Sequence, residues 1–445
     1  MNILFIMPQT RKKPYKGRYF QIISIFNKKN QLVFPILASL TPKKHSIKVI
    51  EENSENIKNT DEFDLVGITS ITQQAIEAYK IADKIRNNGS KVVLGGWHPS
   101  ALPNEAKEHA DSVVIGEGED SWPKLLKDFE KGNMKPFYKQ TSPVNLESLP
   151  PIDTRIYPKG SKFQIIKPTR GCPNNCEFCA ISNQPIRKKY RKTPIQDIIE
   201  DIKSRREKLF YFYDESLTVD VNYSKELFRK IKDLNIKFCA LGNINLLGKD
   251  DELLKLANDA GCISWQIGFE SISQTTLNAI NKTSNKSKEY ISSIKKIHDH
   301  GSAILGSFIF GFDTDTKDIF SKTNDFIAQA DIDFPAAKIL TPFPGTRLYE
   351  RMEKEKRITT HDWSKYNLGN VVFKPKNMTE DELFFNVKDT YDNWYRAPLI
   401  LNRLKTSLKS RYFGYWYFNN IFSFNLIRKF NITKRHLRTK LHKNT

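Results

Sequence analysis

Phe163-Gln164-Ile165-Ile166-Lys167-Pro168-Thr169-Arg170-Gly171-Cys172-Pro173-Asn174-Asn175-Cys176-Glu177-Phe178-Cys179 runs from an apolar, β-branched segment straight into three cysteines within eight residues. The first part reads as a strand, and the cysteines follow at its carboxyl end, where parallel α/β folds bind their ligands. A Cys-x3-Cys-x2-Cys loop gives the chain just enough length to set three thiolates around one face of an iron–sulfur cubane. The fourth iron is then left without a protein ligand and can bind substrate. Zinc, a disulfide and coincidence are the competing readings. Structural zinc wants four closed ligands, and no histidine lies within the loop. A disulfide would leave one thiol over. Cys239 and Cys262 read as buried small hydrophobes near strand ends.

Downstream of Phe163–Pro168, strands are expected at Leu209–Tyr213, Lys237–Leu241, Ile263–Phe269, Ala303–Phe310 and Ala336–Leu340, with helices such as Pro194–Glu207 and Lys286–His300 between them. Alternating βα units of this kind fit a partial (β/α)6 barrel of the TIM type, with its active site at the carboxyl ends of the strands. Upstream, strands are expected at Asn2–Met7, Ser46–Glu51, Asp64–Thr69, Lys91–Leu94 and Ser112–Ile115. That alternation predicts a doubly wound, Rossmann-like sheet. The turns Thr69-Ser70-Ile71-Thr72, Gly95-Gly96-Trp97-His98-Pro99 and Gly116-Glu117-Gly118-Glu119 would line its ligand-binding edge. Gly95 and Gly96 equally suit tight strand-to-helix packing. No Gly-x-Gly-x-x-Gly opens the first helix, so this is not the dinucleotide fingerprint. The expected organisation is a Rossmann-like domain over 1–130, a Pro-rich linker over 131–160 whose prolines interrupt regular elements, a β/α barrel over 161–350, and a helical region with a basic aromatic tail over 351–445.

Composition sets outer limits. At 445 residues the chain exceeds one ordinary core, and 39% hydrophobic with 12% aromatic residues excludes wholesale disorder. The net charge of +21 invites a polyanion or an anionic membrane as partner, but a general richness in Lys, Asn and Ile spreads positive charge without purpose. No run of eighteen apolar residues predicts a transmembrane helix. The start, Met1-Asn2-Ile3-Leu4-Phe5-Ile6-Met7-Pro8, does not fit a secretory signal, and five cysteines suit a reducing cytoplasm. No internal repeat is evident.

With these segments in order, the sequence resembles the radical S-adenosylmethionine (SAM) superfamily. The resemblance implies a [4Fe-4S] cluster on Cys172, Cys176 and Cys179, with SAM chelated at the open iron and reductively cleaved to a 5′-deoxyadenosyl radical. It implies that Asp214-Glu215 meets the methionine amino group, and that Gly268-Phe269-Glu270-Ser271 contacts the ribose. Ile304–Gly311 would pack on adenine, with Gly306 and Gly311 permitting close approach. Thr341-Pro342-Phe343-Pro344-Gly345-Thr346 is similar to the turn after the sixth strand in such enzymes. The amino-terminal segments Phe34–Ala38, Val49–Glu52, Gly67–Ser70, Gly95–Pro99 and Gly116–Glu119 resemble the cobalamin-binding module of one large subfamily. Thr69, Ser70, Gly95 and Gly96 would then be first to contact the corrin or its nucleotide tail. The Asp-x-His-x-x-Gly motif that supplies a lower histidine ligand in some cobalamin proteins is absent. Arg170, Arg187 and Arg191 are candidates for meeting a cofactor carboxylate or an acidic substrate.

The function this implies is a cobalamin-dependent radical SAM enzyme that methylates an unactivated carbon of a small-molecule or lipid-like substrate, fed by an electron donor such as a flavodoxin or ferredoxin. Cyclisation, rearrangement or oxidation with the same cofactors is the alternative. A tRNA methylthiotransferase would hold a second cluster on amino-terminal cysteines, and residues 1–171 contain none, which argues against nucleic acid as partner. A non-catalytic nucleic-acid or membrane-binding protein would leave the cysteine loop a relic. The tail, from Ala397 to Thr445, carries eleven Lys or Arg and no Asp or Glu. Its aromatic run Arg411–Phe418 suits peripheral contact with the inner membrane surface, and equally a terminal helix packed on the barrel.

Overall fold

The computed structural model describes residues 1–9, 32–58, 60–156, 164–396 and 398–403. Two compact units form. One comprises Met1–Glu215, Asn278–Lys282 and Ile339–Glu380; the other comprises Ser216–Leu277, Thr283–Lys338 and the chain from Asp381.

In the first unit, strands β1 (Asn2–Pro8), β2 (Ser46–Glu52), β3 (Leu65–Thr69), β4 (Lys91–Gly95), β5 (Ser112–Ile115) and β6 (Phe137–Lys139) form one sheet in the order β2-β1-β3-β4-β5-β6. Every pairing is parallel. Successive side chains point to opposite faces of a strand. In β1, Ile3 and Phe5 therefore join Leu65, Val93 and Trp122 on one face, while Leu4 and Ile6 join Val66, Ile68 and Leu94 on the other. Both faces are covered, which is why these strands read as unbroken apolar runs. Each such fully buried side chain contributes about 1.5–3 kcal/mol. The chain steps from β1 outward to β2 and returns to β3 on the far side of β1. That reversal is a topological switch point, the crevice where open α/β sheets bind ligands.

Strand β6 departs from expectation: Pro136 and Pro143 flank it without breaking it. The Pro136 carbonyl accepts from Val113 N at 2.9 Å, and β6 needs a ladder on one side only because it is an edge strand. In the same unit, β7 (Gln164–Ile166) pairs in parallel with β10 (Leu209–Phe212), and β8 (Thr169–Arg170) pairs antiparallel with β9 (Arg191–Lys192). The segment after residue 355 packs here too, with Trp363, Tyr366 and Val372 in the sheet's core.

In the second unit, β11 (Lys237–Gly242), β12 (Cys262–Glu270), β13 (Ala303–Phe310) and β14 (Phe334–Ile339) lie side by side, with helices such as Val221–Ile231, Tyr290–Asp299 and Asp318–Ala330 connecting strands. Pairing of β11 with β12 and of β12 with β13 is parallel. The expected helix at 286–300 begins as a tight 3-10 turn, Ser287–Glu289, before Tyr290–Asp299. Among the described residues no helix is long and apolar enough to cross a membrane. The basic aromatic run Arg411–Phe418 lies outside the described residues.

Candidate functional site

The cysteine loop is braced by residues on its carboxyl-terminal side in the chain. Gly171 turns the backbone at φ +87°, and an added Cβ there would lie 2.2 Å from the Lys189 carbonyl oxygen, so glycine is required. Cys172 N donates to the Lys188 carbonyl at 3.1 Å, and Cys179 N to the Cys176 carbonyl at 3.3 Å. Asn183 gathers the loop from below: its Nδ2 lies 3.2, 3.1 and 2.7 Å from the carbonyl oxygens of Cys176, Glu177 and Cys179. The helix Arg347–Lys354 closes the other side, with Arg351 Nε donating to Glu177 Oε1 at 2.7 Å and Arg347 Nη2 to the Asn175 carbonyl at 2.6 Å. Sequence reasoning named neither Asn183 nor Arg351; only the fold brings Arg351 to a partner 174 positions away.

Among the described residues none of the three cysteines forms a disulfide; Cys172 and Cys176 are buried and Cys179 partly so, and Cys176 Sγ lies 3.9 Å from the Asn281 carbonyl oxygen. Burial raises the Cys172 thiol pKa, opposed by a backbone hydrogen bond from Asn174 and by the charge of Lys282. Three thiols on one braced loop fit the donor set of a cubane with an open iron. Among the described residues no three Cys, His, Asp or Glu converge on a single ion. A structural zinc site needs that convergence; thiolates that each bind a different iron do not. Cys239 and Cys262 are buried in β11 and β12, as their sequence context suggested.

Asp214 and Glu215 follow β10 and face the start of this loop. Glu215 accepts from Lys167 Nζ at 2.8 Å and from Gly171 N at 3.1 Å. Asp214 Oδ1 accepts from Thr169 N at 2.8 Å, whereas its Oδ2 is buried with no partner among the described residues. Burial pushes the Asp214 carboxyl up to about 8. An orphaned carboxylate oxygen beside the cysteine loop fits an incoming ammonium group, which would relieve that desolvation.

Two of the three candidate arginines are already engaged. Arg170 Nη1 lies 2.5 Å from Glu119 Oε1 and 3.3 Å from Glu117 Oε1. Arg191 donates to Glu117 through Nη1 at 2.7 Å and Nη2 at 3.0 Å. Burial alone would raise the Glu117 carboxyl, but the Arg191 hydrogen bond and the charges of Arg170 and Arg191 hold it at about 2. Arg170 and Arg191, expected as candidates for meeting a cofactor carboxylate or an acidic substrate, are placed by the structure against the two glutamates of the turn after β5, which they neutralise. Buried charges need such compensation. Among the described residues Arg187 has no such carboxylate; its guanidinium lies 3.5 Å over the Trp97 ring.

At the carboxyl edge of the first sheet, Gly96 adopts φ +103° and an added Cβ would sit 2.7 Å from both the Ser70 carbonyl oxygen and Thr69 Oγ1. Ser70 N donates to the Gly95 carbonyl at 3.0 Å, and His98 N to the Ser70 carbonyl at 3.2 Å. Thr69, Ser70, Gly95 and Gly96 are thus brought together. Ser70 Oγ is buried without a partner among the described residues. A bare glycine edge with one orphaned hydroxyl, beside the switch point, fits a large polar cofactor such as cobalamin. His98 faces inward: its Nε2 is 3.1 Å from Glu105 Oε1, which also accepts from Tyr79 OH at 2.9 Å and Trp363 Nε1 at 3.0 Å.

In the second unit, the register of β12 against β13 shifts between Gly268 and Glu270, and Glu270 takes φ +63°. Such strain costs about 1–3 kcal/mol and concentrates at functional sites. Asn285 Nδ2 braces the kink, donating to the Gly268 carbonyl at 3.0 Å and lying 3.3 Å from that of Phe269, while Tyr290 OH reaches the Phe269 carbonyl at 3.1 Å. Ser271 N donates to the Phe269 carbonyl at 2.8 Å. Burial lowers the Lys338 ammonium pKa, and Glu270 opposes it. Gly306 meets protein on its Cβ side, 3.0 Å from the Phe269 ring and 3.1 Å from Ile332, so there it makes room for core packing. Gly311, at φ +102°, donates to Asp315 Oδ2 at 2.9 Å; burial raises that carboxyl to about 6.

Comparison with known proteins agrees with both halves of this arrangement. The family model for the radical SAM superfamily matches residues 166–327, and that for the B12 binding domain matches residues 41–126. Bacteriochlorophyllide d C-12(1)-methyltransferase of Chlorobaculum tepidum is 33% identical over 83% of this chain and 83% of its own. Bacteriochlorophyllide d C-8(2)-methyltransferase of the same organism is 35% identical over 83% and 86%. Among solved structures, the radical SAM methyltransferase TsrM of Kitasatospora setae, with cobalamin and a [4Fe-4S] cluster bound, superposes with a TM-score of 0.61 at 15% identity, covering 79% of this chain and 78% of that one.

Proposed function

We infer the reaction from one premise: the chain belongs to the radical SAM superfamily, in the branch that joins the radical SAM domain to a B12-binding domain. It is read as a cobalamin-dependent enzyme that methylates an unactivated carbon of a small organic molecule. When bound, the cluster supplies the electron that cleaves SAM, and cobalamin supplies the methyl group. The observation that carries this reading is the presence, within one compact unit, of a braced three-thiol loop and a glycine-lined sheet edge with an orphaned Ser70 hydroxyl. Bacteriochlorophyllides, on which the two relatives act, are the first substrates to assay.

In this reading Cys172, Cys176 and Cys179 hold the cluster, and Asn183 keeps their carbonyls in register. Asp214 Oδ2 accepts the methionine ammonium. Glu215 acts one step back, fixing Lys167 and Gly171 N at the loop's entrance. Glu270 and Ser271 meet the ribose hydroxyls, and Gly268 and Gly311 leave room beside them. Thr69, Ser70, Gly95 and Gly96 receive the corrin. Once three cysteines are committed, only Cys239 and Cys262 remain, both buried, so electrons come from an external one-electron donor of the flavodoxin or ferredoxin kind.

Asp214 gives a pH-dependent test. Its carboxyl ionises near 4 in an unfolded chain and at about 8 here. Its contribution to stability is therefore complete below about pH 4 and is lost as pH rises through 8. Asp214→Asn is expected to flatten the fall in Tm of the cofactor-free protein between those limits, and to weaken SAM binding about ten-fold or more with iron content unchanged. Equilibrium dialysis with SAM checks the second outcome; unchanged affinity would remove Asp214 from the site. The reaction itself is tested by anaerobic turnover with methyl-labelled SAM and a bacteriochlorophyllide. Label in a carbon-bound methyl group together with deoxyadenosine supports methylation. Deoxyadenosine with an unlabelled, cyclised or oxidised product overturns methylation but keeps the class.

A further inference from the structure

Seven charged side chains cluster where the cysteine loop meets the turns after β4 and β5, and their charges do not balance. The cations are Lys167, Arg170, Arg187 and Arg191; the anions are Glu117, Glu119 and Glu215. Each glutamate has a cation of its own: Glu119 pairs with Arg170, Glu117 with Arg191, and Glu215 with Lys167. Asp214 lies nearby but forms no ion pair among the described residues: its Oδ1 accepts from Thr169 N and its Oδ2 has no partner. One positive charge, on Arg187, is left over. Among the described residues no carboxylate forms an ion pair with it, and its Nη1 is buried with no hydrogen-bond partner.

A guanidinium has five N–H donors and stays charged in proteins. Leaving one desolvated and unpaired is costly, and burial duly lowers the Arg187 pKa despite the pull of Glu117, Glu215 and Glu119. The Trp97 ring, 3.5 Å away, offers its face to the cation but no acceptor to its donors. Both stacking partners are rigidly placed. Trp97 follows Gly96, which locks against Thr69 and Ser70. The backbone at Arg187 is held against Gly171, whose Cβ position would fall 2.9 Å from the Arg187 carbonyl oxygen. The residue as a whole is only partly buried, while Nη1 itself is shut off from solvent, so a ligand approaches along the exposed part of the residue and engages Nη1 by displacing what covers it.

We propose that Arg187, laid flat on Trp97 beside the cysteine loop, is an oxyanion-binding residue that takes a carboxylate or phosphate through its unpaired guanidinium edge. A planar fork matches such oxygens two at a time, which a lysine cannot do. Three molecules of the proposed reaction could bring the oxyanion, and to that extent the assignment rests on that function: SAM through its methionine carboxylate, cobalamin through its tail phosphate, and the organic substrate through an acidic group.

The test uses the full chain, reconstituted anaerobically, as wild type, Arg187→Gln and Arg187→Lys. Thermal shift with inorganic phosphate and with acetate, balanced against chloride at fixed ionic strength, reads the anion site directly. The wild type is expected to gain Tm with at least one of them, and Arg187→Gln to lose that gain. Arg187→Lys keeps the charge and the stacking site, is read if the Gln variant fails to fold, and should fall between. Equilibrium dialysis with SAM and absorbance titration with hydroxocobalamin then assign the source. A ten-fold loss for SAM points to its carboxylate, and a ten-fold loss for hydroxocobalamin to its phosphate. A lost anion response with both affinities intact points to an acidic substrate. A wild type indifferent to both anions, or variants that match it in all three measurements, overturns the proposal. If the wild type binds neither SAM nor cobalamin, the functional reading fails, while the phosphate and acetate arm still decides the role of Arg187.

Discussion

Replacing any one of Cys172, Cys176 and Cys179 by Ala is expected to remove the reconstituted iron and to take deoxyadenosine formation to background. The loop supplies three sulfur ligands and no fourth, so the site has no spare donor: losing one leaves two thiols to hold a cube that already lacks a protein ligand at one corner. Neighbouring groups do not substitute. Glu177 is tied to Arg351 and to the Ile280 carbonyl through its own N–H, and Glu215 to Lys167 and Gly171. The controls are Cys239→Ala and Cys262→Ala, which remove buried sulfurs of β11 and β12 and should cost about 1 kcal/mol of stability with iron content intact. Iron and sulfide analysis of anaerobic preparations, with a chromatographic deoxyadenosine assay, separates the two groups. Full iron in any of the three loop variants would count against the ligand assignment.

Gly96→Val should lose cobalamin while keeping the cluster. Valine is poorly suited to φ +103°, at a cost of about 1–3 kcal/mol, before any contact is considered. Its Cβ would then meet the Ser70 carbonyl oxygen and Thr69 Oγ1 at 2.7 Å and Ser70 N at 3.0 Å. Two of those three atoms are backbone and cannot swing aside, so the edge that presents Thr69 and Ser70 must shift as a whole. At Gly95 the same addition is mild toward the protein, its Cβ lying 3.7 Å from Val114 Cβ, an ordinary contact, so Gly95→Ala leaves the sheet undisturbed and reads only whether a methyl group at that edge obstructs the corrin. The expected result for Gly96→Val is at least a ten-fold weaker hydroxocobalamin titration, deoxyadenosine formation that persists, and no methylated product. Cobalamin affinity equal to wild type would show that the corrin is received elsewhere.

Much of the fold is legible in the sequence because the first sheet, and the β7–β10, β11–β12 and β12–β13 pairs, are parallel and their strands largely buried. A buried parallel strand is a continuous β-branched run bounded by turns, and on that signal the expected bounds of Ser112–Ile115 and Ala303–Phe310 agree with the structure to the residue. The cysteine spacing is likewise local. Partnership across distance is what sequence does not carry. Arg170 and Arg191 look like ligand-binding cations because nothing nearby in sequence claims them; Glu117 and Glu119 lie more than fifty positions away. Asn183 is an ordinary polar residue until the loop folds over its side chain. The strain at Glu270, braced by Asn285 and Tyr290, leaves no mark in composition, because a left-handed glutamate is a product of the bulge around it. Strand β6 hides between prolines that normally end regular structure, and it survives because an edge strand tolerates them.

The most direct measurement of the central claim is the electron paramagnetic resonance spectrum of the anaerobically reconstituted, reduced protein, recorded before and after SAM is added. A three-thiol cluster with one open iron predicts a reduced [4Fe-4S] signal whose g values shift when SAM chelates that iron. A silent, iron-free protein, or a cluster signal that SAM leaves unchanged, would contradict it.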